Sequence, residues 1–199
     1  MGITERRQRQ KEEVRASILT AAWQLVEAEG WQALSIRKIA DAIEYSVPVI
    51  YDHFENKEAI FFQFTKKGFQ LLNDGIIKAA ATSDNPEQQI EAIAYAYWDF
   101  AFNNRAYYQL MYGLGLPGCE TVNQIPELKQ FTSLISEPIT KLIEASGTNQ
   151  DAFLKLHTFW SMLHGLISIN MMSKENTRDE LNAMVLKDLL KGFIYGIKG

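Results

Sequence analysis

The sequence is poor in cysteine and proline, and it has no long uninterrupted hydrophobic run. Its single cysteine, Cys119, excludes an internal disulfide and a multi-cysteine zinc site. Five prolines among 199 residues, together with no alternating β-branched run, predict an all-α chain. The most apolar stretch, 159–172, is interrupted by His164 and Asn170 and is too short to cross a bilayer. Because the charged N-terminus also lacks the apolar core of a signal peptide, we expect a cytoplasmic protein with no membrane contact.

Positive charge is also scarce, since the formal net charge is −4. Basic residues nevertheless cluster near the N-terminus, as Arg6, Arg7, Arg9, Lys11 and Arg15. Salt screens distant charges beyond about 10 Å, so a local basic arm can bind phosphates even on a mildly acidic protein. The alternative is a solvated, frayed terminus, and charge alone does not decide between the two. We expect residues 1–10 to be disordered or a frayed start of a helix.

The stretch 35–57 is typical of two short helices joined by a tight turn. Ser35 can cap the first helix and Ser46 the second, and Pro48 fits a first helical turn, where no N–H partner is lost. Two helices of this size bury little by themselves and need a third behind them. The apolar periodicity predicts that third helix from about Lys11 to the stop at Gly30. Helix-turn-helix units that read DNA are built in this way.

Four motifs occur in the order and spacing of a known family. They are Ile18-Leu19-Thr20-Ala21-Ala22, then Gly30, then Ile39-Ala40, then Ser46…Ile50-Tyr51-Asp52-His53-Phe54…Lys57-Glu58. Over about Val14 to Ile60 this pattern resembles the DNA-binding domain of the TetR family of bacterial repressors. The resemblance implies a three-helix DNA-binding head at 1–56 and a helical regulatory and dimerisation body at 57–199, about nine helices in all. It also implies a repressor that binds a palindromic double-stranded operator as a homodimer and is released by a small-molecule effector.

The dimer interface implied by the resemblance consists of the last two helices, predicted at 150–173 and 177–196. The positions that contact phosphates in the family correspond to Tyr51, His53 and Lys57. A phenol, an imidazole and an ammonium all donate hydrogen bonds, as phosphate contacts require. The full predicted DNA-contacting set is Arg6, Arg7, Arg9, Ser35, Arg37, Lys38, Ser46, Val47, Pro48, Val49, Tyr51, Asp52, His53 and Lys57.

Three positions depart from the family pattern. Glu44 stands where the turn between the helices usually has glycine. Because a left-handed backbone at glutamate costs on the order of 1 kcal/mol, we expect this turn to differ slightly from the usual one. Pro48 and Val49 replace the usual small residues at the start of the recognition helix. The remaining groove-facing side chains are poor in donors, since valines contact thymine methyl groups and Asp52 accepts only from cytosine. We therefore expect much of the specificity to come from DNA shape and from the arm Arg6-Arg7-Arg9.

Aromatic residues are unusually dense between Tyr95 and Tyr112. Such a stripe is equally consistent with a core and with the wall of a largely apolar ligand pocket. The segment Trp160–Gly165 resembles the W-x-x-x-H-G signature of one branch of TetR-family C-terminal domains. The predicted ligand-contacting residues are Tyr95, Trp98, Phe102, Tyr108, Tyr112, Phe131, His157, Trp160 and His164.

No cofactor, metal site or catalytic residue is predicted. His157 and His164 share a helical face, but no Cys, Asp or Glu stands beside them at ligand spacing. Residues 113–118 spell G-x-G-x-x-G, yet the dinucleotide fingerprint requires a preceding strand, so these glycines are read as loop residues. Two other functions remain open at this point. One is a helical ligand- or protein-binding module whose head has little DNA affinity, and the other is a helical enzyme that uses the two histidines.

Overall fold

The computed structural model of the protein describes residues 2–113, 125–171 and 180–199. In these ranges the regular structure is helical, which confirms the all-α prediction. The helices are α1 (Ile3–Glu29), α2 (Ile36–Ala42), α3 (Val47–Tyr51), α4 (Lys57–Ala80), α5 (Pro86–Asn103), α6 (Arg105–Tyr112), α7 (Pro126–Ser146), α8 (Ala152–Met171) and α9 (Glu180–Lys198). Across the same ranges, no helix has the length and apolar character needed to cross a membrane. Most of the predicted loop 113–124, with Gly115, Gly118 and Cys119, lies outside the described residues.

Helix α1 begins at Ile3, so of the two alternatives for the N-terminal segment the disordered one is wrong and the start of a helix is what the structure contains. The stretch from Ile3 to Glu29 contains no glycine or proline, and local contacts stabilise its start. The Glu5 carboxylate accepts from the backbone N–H of Gly2 at 3.0 Å, and Gln8 donates to Glu12 at 2.7 Å, one turn further on. Arg6, Arg7 and Arg9 therefore lie on a helix and do not form an extended arm.

The chain divides into two compact units, and the first, the head unit, comprises residues 2–65 and 106–113. Its core is formed by side chains from α1, α2, α3, α6 and the start of α4, with Ile18, Ile39 and Ile50 fully buried. Burial of an aliphatic side chain of this size contributes about 1.5–3 kcal/mol. This shared core therefore accounts for the stability of the short helices α2, α3 and α6. The prediction that a third helix backs the pair is confirmed.

Helix α6 is part of the head unit, although it follows α5 in the chain. Leu110 is buried in the head core. The Trp31 indole N–H donates to the backbone oxygen of Ala106 at 2.7 Å. The Tyr107 ring stacks on Trp23 with centroids 4.1 Å apart. Two tryptophans near the end of α1 thus bind a segment that lies more than 70 residues later in the sequence.

The second unit, the body unit, comprises residues 66–105, 125–171 and 180–199. Helices α5, α7, α8 and α9 pack against one another in it. Asn85 caps α5 by accepting from the backbone N–H groups of Glu87 and Gln88, and Pro86 occupies its first turn, as predicted. The predicted division into domains 1–56 and 57–199 stays a prediction. The boundary between the two compact units falls within α4 in the sequence, between Thr65 and Lys66.

Candidate functional site

The turn between α2 and α3 depends on an unusual backbone conformation at Glu44. This residue has φ 59°, and it is the only non-glycine residue with positive φ in the part of the chain that the structure describes. The N–H of Tyr45 donates to the oxygen of Ala40 at 3.0 Å, and the N–H of Glu44 donates to Asp41 at 3.3 Å. These two bonds form a Schellman motif, in which glycine normally occupies the left-handed position. The expected change in the turn does not occur, because Glu44 itself adopts the left-handed conformation and the turn keeps its geometry at the cost of backbone strain.

Replacing Glu44 with glycine is therefore expected to stabilise the head unit. Relief of the left-handed strain contributes about 1–2 kcal/mol, and the greater entropy of glycine in the unfolded chain offsets part of it, so we expect a net gain of about 0.5–1 kcal/mol. Urea unfolding of the full chain measures the change. Glu55→Gly is the matched control, because Glu55 is also exposed but has negative φ. A Glu44→Gly protein no more stable than the control would contradict the strain.

The edge of the unit formed by α2 and α3 exposes few base-reading groups. Pro48 and Asp52 are exposed, as is Ser46, whose hydroxyl makes no capping bond to α3, contrary to the prediction. Val49 is half-buried, and Val47 is half-buried and packs against the head core. Ser35 does cap α2, since its hydroxyl accepts from the backbone N–H of Lys38 at 3.2 Å.

Three predicted phosphate-contacting residues lie close together in sequence at the end of α3 and the start of α4. Tyr51 is 52% exposed, which is high for a tyrosine. Lys57 is the first residue of α4, and its ammonium lies 5.0 Å from the centre of the Phe61 ring. This cation–π contact restricts the lysine side chain. A phenol and a pre-oriented ammonium beside a helix N-terminus are suitable donors to a phosphate.

His53, the third of these residues, has a lowered pKa. Burial lowers its pKa below the ordinary value of 6.5, and the positive charges of Lys11 and Arg15 lower it further. The Nδ1 atom of His53 is buried and makes no hydrogen bond with the described residues. Only Nε2 is therefore able to reach a phosphate, and it can donate there in the tautomer that carries its proton.

Arg15 fixes the end of α3, a role that the sequence analysis did not assign. Its guanidinium donates to the backbone oxygen of His53 at 2.9 Å and lies 4.1 Å from the centre of the Phe54 ring. Arg15 is part of the basic cluster noted in the sequence, but its partners are 38 residues away, so no local signal identifies them. Arg15, on α1, thus positions the segment that is predicted to contact phosphates.

The other predicted cations differ in how available they are. Arg37 is exposed near the start of α2, and Arg6, Arg7 and Arg9 are exposed on α1. Lys38 forms an ion pair with Glu29 at 2.5 Å, which reduces the charge it offers to a phosphate. Exposed pairs of this kind contribute little to stability, so a phosphate can compete for the lysine.

The predicted ligand residues fall into separate groups. Phe131 is 1% exposed, and its ring lies 5.8 Å from both Tyr97 and Trp160 and 5.9 Å from Phe69. Trp98 and Phe102 are buried as a second ring pair on α5, 4.7 Å apart. Tyr95 is 43% exposed on the same helix. Tyr108 and Tyr112 form a ring pair on α6, 4.8 Å apart, and α6 belongs to the head unit.

The two histidines of the body unit occupy different surroundings. His157 is exposed, and its ring lies 4.4 Å from Phe153 and 6.4 Å from Trp160. His164 Nε2 lies 3.3 Å from the Ser168 hydroxyl, and burial lowers the pKa of His164. No cluster of three or more metal-ligating side chains occurs among the described residues.

A cavity of about 380 Å³ opens on the surface of the body unit. Its lining comes from the start of α5 and the ends of α7 and α9, and includes Asn85, Leu142 and Lys198. None of the predicted ligand residues lines it. Its rim carries the ion pair between Lys198 and Glu87, at 2.9 Å.

Sequence reasoning also missed a buried polar group in the body unit. Asn73 is 1% exposed on α4, between the buried residues Leu72 and Ile76. Its amide donates to the backbone oxygen of Glu127 at 2.8 Å. A polar residue inside an otherwise apolar helical stripe is a signal that the sequence contained, since buried amides need partners.

Comparison with known proteins identifies the family. Residues 18–64 match the family model described as "Bacterial regulatory proteins, tetR family", and residues 90–186 match "Tetracyclin repressor-like, C-terminal domain". The transcriptional activator FasR of Mycolicibacterium smegmatis is 25% identical over 164 residues, which span 82% of this chain and 71% of FasR.

Two solved structures share the fold at lower identity. A Rhodococcus sp. RHA1 protein of unknown function has a TM-score of 0.77 and 22% identity, over 93% of this chain and 95% of that one. FadR of Bacillus subtilis in complex with stearoyl-CoA has a TM-score of 0.72 and 16% identity, over 91% and 98%. With two models of one family matched along most of its length, the chain belongs to the TetR family of bacterial transcriptional regulators.

Proposed function

We propose that this protein represses transcription as a homodimer bound to a palindromic operator, and that a small, largely apolar ligand releases it. The observation that carries the DNA-binding part is the segment from Tyr51 to Lys57, where an exposed phenol and a restrained ammonium stand beside the start of α4. Both groups are donors of the kind that fix a helix-turn-helix on phosphates. This role requires a cytoplasmic location and assigns no catalytic step to His157 or His164.

The dimer is supported by exposed apolar residues on α8 and α9. Leu181, Met184 and Tyr195 on α9 are 64%, 66% and 72% exposed, and Leu154 and Ile169 on α8 are 60% and 70% exposed. Side chains of this size are seldom left in water on two neighbouring helices. The space where Gly165 of α8 would carry a Cβ is empty to 4 Å, so a second copy can approach the α8 backbone closely. A face formed by α8 and α9 fits the four-helix interface implied by the family resemblance.

The effector part is supported by the aromatic cluster around Phe131 and by the neighbour FadR, whose structure contains stearoyl-CoA. A long apolar molecule is the class of ligand that aromatic side chains line best. Release requires the ligand to bind the DNA-free state more tightly, and about 1–3 kcal/mol of coupling gives a switch of about 5- to 150-fold.

The direct test is a mobility shift of full-length protein on the DNA that flanks its own gene. We expect a shift that weakens steeply as salt rises, because phosphate contacts release counterions. No shift at low salt would contradict DNA binding and favour the ligand- or protein-binding module. Transcription in vitro from the bound promoter tests the direction of control. Repression predicts fewer transcripts as protein is added, whereas more transcripts would identify an activator, as FasR is named.

Replacing Lys57 with alanine is expected to weaken operator binding about tenfold and to reduce the salt slope by about 0.9, the value of one phosphate contact. The loss should be similar for operator and random DNA, because a phosphate contact carries no sequence information. Lys78→Ala is the matched control, since Lys78 is an exposed lysine of the last turn of the same helix. Equal salt slopes for the two variants would contradict the assignment of Lys57.

A further inference from the structure

A polar cluster lies in the body unit where α4 packs against the first turn of α7. The Asn73 amide nitrogen donates to the backbone oxygen of Glu127 at 2.8 Å and to the Gln130 side-chain oxygen at 3.3 Å. The ammonium of Lys66 lies 3.5 Å from Oε1 of Glu127. Asn73 and Lys66 of α4 thus contact Glu127 and Gln130 of α7 in one polar cluster.

Two acceptors of this cluster have no donor among the described residues. They are Oδ1 of Asn73 and Oε2 of Glu127, and both atoms are buried. The orientation of the Asn73 amide is fixed, because a flipped amide would place its oxygen against two other oxygens. Buried acceptors without donors are rare in native proteins, and each one carries the full cost of its lost hydration. Both oxygens therefore lack a hydrogen-bond donor.

The same cluster adjoins the aromatic residues of the body unit. Phe69 precedes Asn73 by one turn on α4, and Phe131 directly follows Gln130 on α7. The two rings lie 5.9 Å apart, and Phe131 contacts Tyr97 and Trp160 in turn. The surroundings therefore change from aromatic to hydrogen-bond-accepting within one helical turn. This arrangement suits a molecule that has an apolar body and a polar end.

We propose that Asn73 and Glu127 bind the polar end of the effector, and that this end is a neutral donor such as a hydroxyl or a primary amide. The inference rests on the proposed function and specifies the ligand of that site. A carboxylate has no proton to donate, and it would bring a second negative charge to Glu127. Lys66 already supplies the cation that Glu127 requires, so the remaining need is for hydrogen bonds rather than for charge.

The test compares three probes with the same alkyl chain and different ends: dodecanol, dodecanamide and dodecanoate. Each is titrated into full-length protein while tryptophan fluorescence is followed, because Trp160 lies in the aromatic cluster. We expect the alcohol and the amide to bind about tenfold or more tightly than the carboxylate, since only they supply the missing donors.

The Glu127→Gln variant should remove this preference. Lys66 keeps the amide oxygen at the position of Oε1, so the new NH₂ group takes the place of Oε2 and an acceptor becomes a donor. The ratio of dodecanol to dodecanoate affinity should fall about tenfold or more. Glu137→Gln is the matched control, because Glu137 is an exposed residue of α7 that also pairs with a lysine, Lys141, at 2.7 Å. The control should keep the wild-type ratio.

Equal affinities of the wild-type protein for dodecanol and dodecanoate would overturn the inference, as would an unchanged ratio in Glu127→Gln. The second result is the one expected if an ordered water molecule satisfies both oxygens. In either case the probes still bind, so the proposed release by an apolar ligand stands. Failure of all three probes to bind would overturn the inference together with the effector part of the proposed function, while DNA binding is judged by the mobility shift. A ratio measured on one preparation does not depend on what fraction of the variant is folded.

Discussion

Replacing Phe131 with alanine is expected to lower the free energy of unfolding of the body unit by about 3–5 kcal/mol. Phe131 is 1% exposed and contacts three other aromatic rings, on α4, α5 and α8. The substitution removes the apolar contact area and leaves a cavity that three large rings cannot readily fill. Urea unfolding followed by tryptophan fluorescence measures the change, since Trp160 reports from the same cluster.

The matched control for this substitution is Phe153→Ala on α8. Phe153 is 70% exposed, so the same chemical change removes little buried area, and we expect an effect within about 0.5 kcal/mol. If the two variants were equally stable, the aromatic cluster would not be the core of the body unit. The comparison therefore tests whether the residues predicted as a pocket wall also hold the unit together.

The double substitution Leu181→Glu, Met184→Glu is expected to abolish the dimer and to weaken operator binding by about 10²–10⁴. Both side chains are almost two-thirds exposed in the single chain, so adding charge there should leave the fold intact. In the proposed dimer these positions would be covered, and carboxylates would be buried without partners. One head then binds alone and loses the high effective concentration that the second head provides. Light scattering after size-exclusion chromatography gives the mass, and a mobility shift gives the affinity.

Ile77→Glu is the control for this pair. Ile77 is 42% exposed on α4, so the substitution places one carboxylate at an exposed apolar position that is not on α8 or α9. It should remain dimeric and bind the operator normally. A double variant that stays dimeric would show that the interface lies elsewhere, whereas a monomer with full operator affinity would contradict cooperation between two heads.

The features that were predicted correctly from sequence are local ones. The cap at Ser35 and the helix stop at Gly30 each depend on residues within one turn of each other. The order and spacing of the head motifs identified the family for the same reason. The regular part of α1 was predicted to start too late, at about Lys11, because the charged residues before it were taken as disordered or frayed. Their spacing permits helical contacts such as Gln8 to Glu12.

The features that were missed depend on contacts between distant parts of the chain. Periodicity indicates that Trp31 or Tyr107 is covered, but it does not say what covers it, and the hydrogen bond from Trp31 reaches a residue 75 positions away. Likewise the aromatic stripe on α5 and α6 reads as one feature in the sequence, yet Trp98 and Tyr108 belong to different compact units. The polar pair Asn73 and Glu127 was missed because the two residues are 54 positions apart.

The attachment of α6 to Trp23 and Trp31 also bears on how the protein is made. Residues 2–65 leave the ribosome first, and the helix that completes their aromatic surface follows only after about 50 more residues. At about 5–20 residues per second, this surface stays uncovered for several seconds in each round of synthesis. During that interval the nascent chain exposes the rings that Tyr107 and Ala106 later cover. Helices α2 and α3 are thus translated early, but the unit that contains them is completed late. A truncated gene product ending before α6 would expose the same aromatic surface permanently.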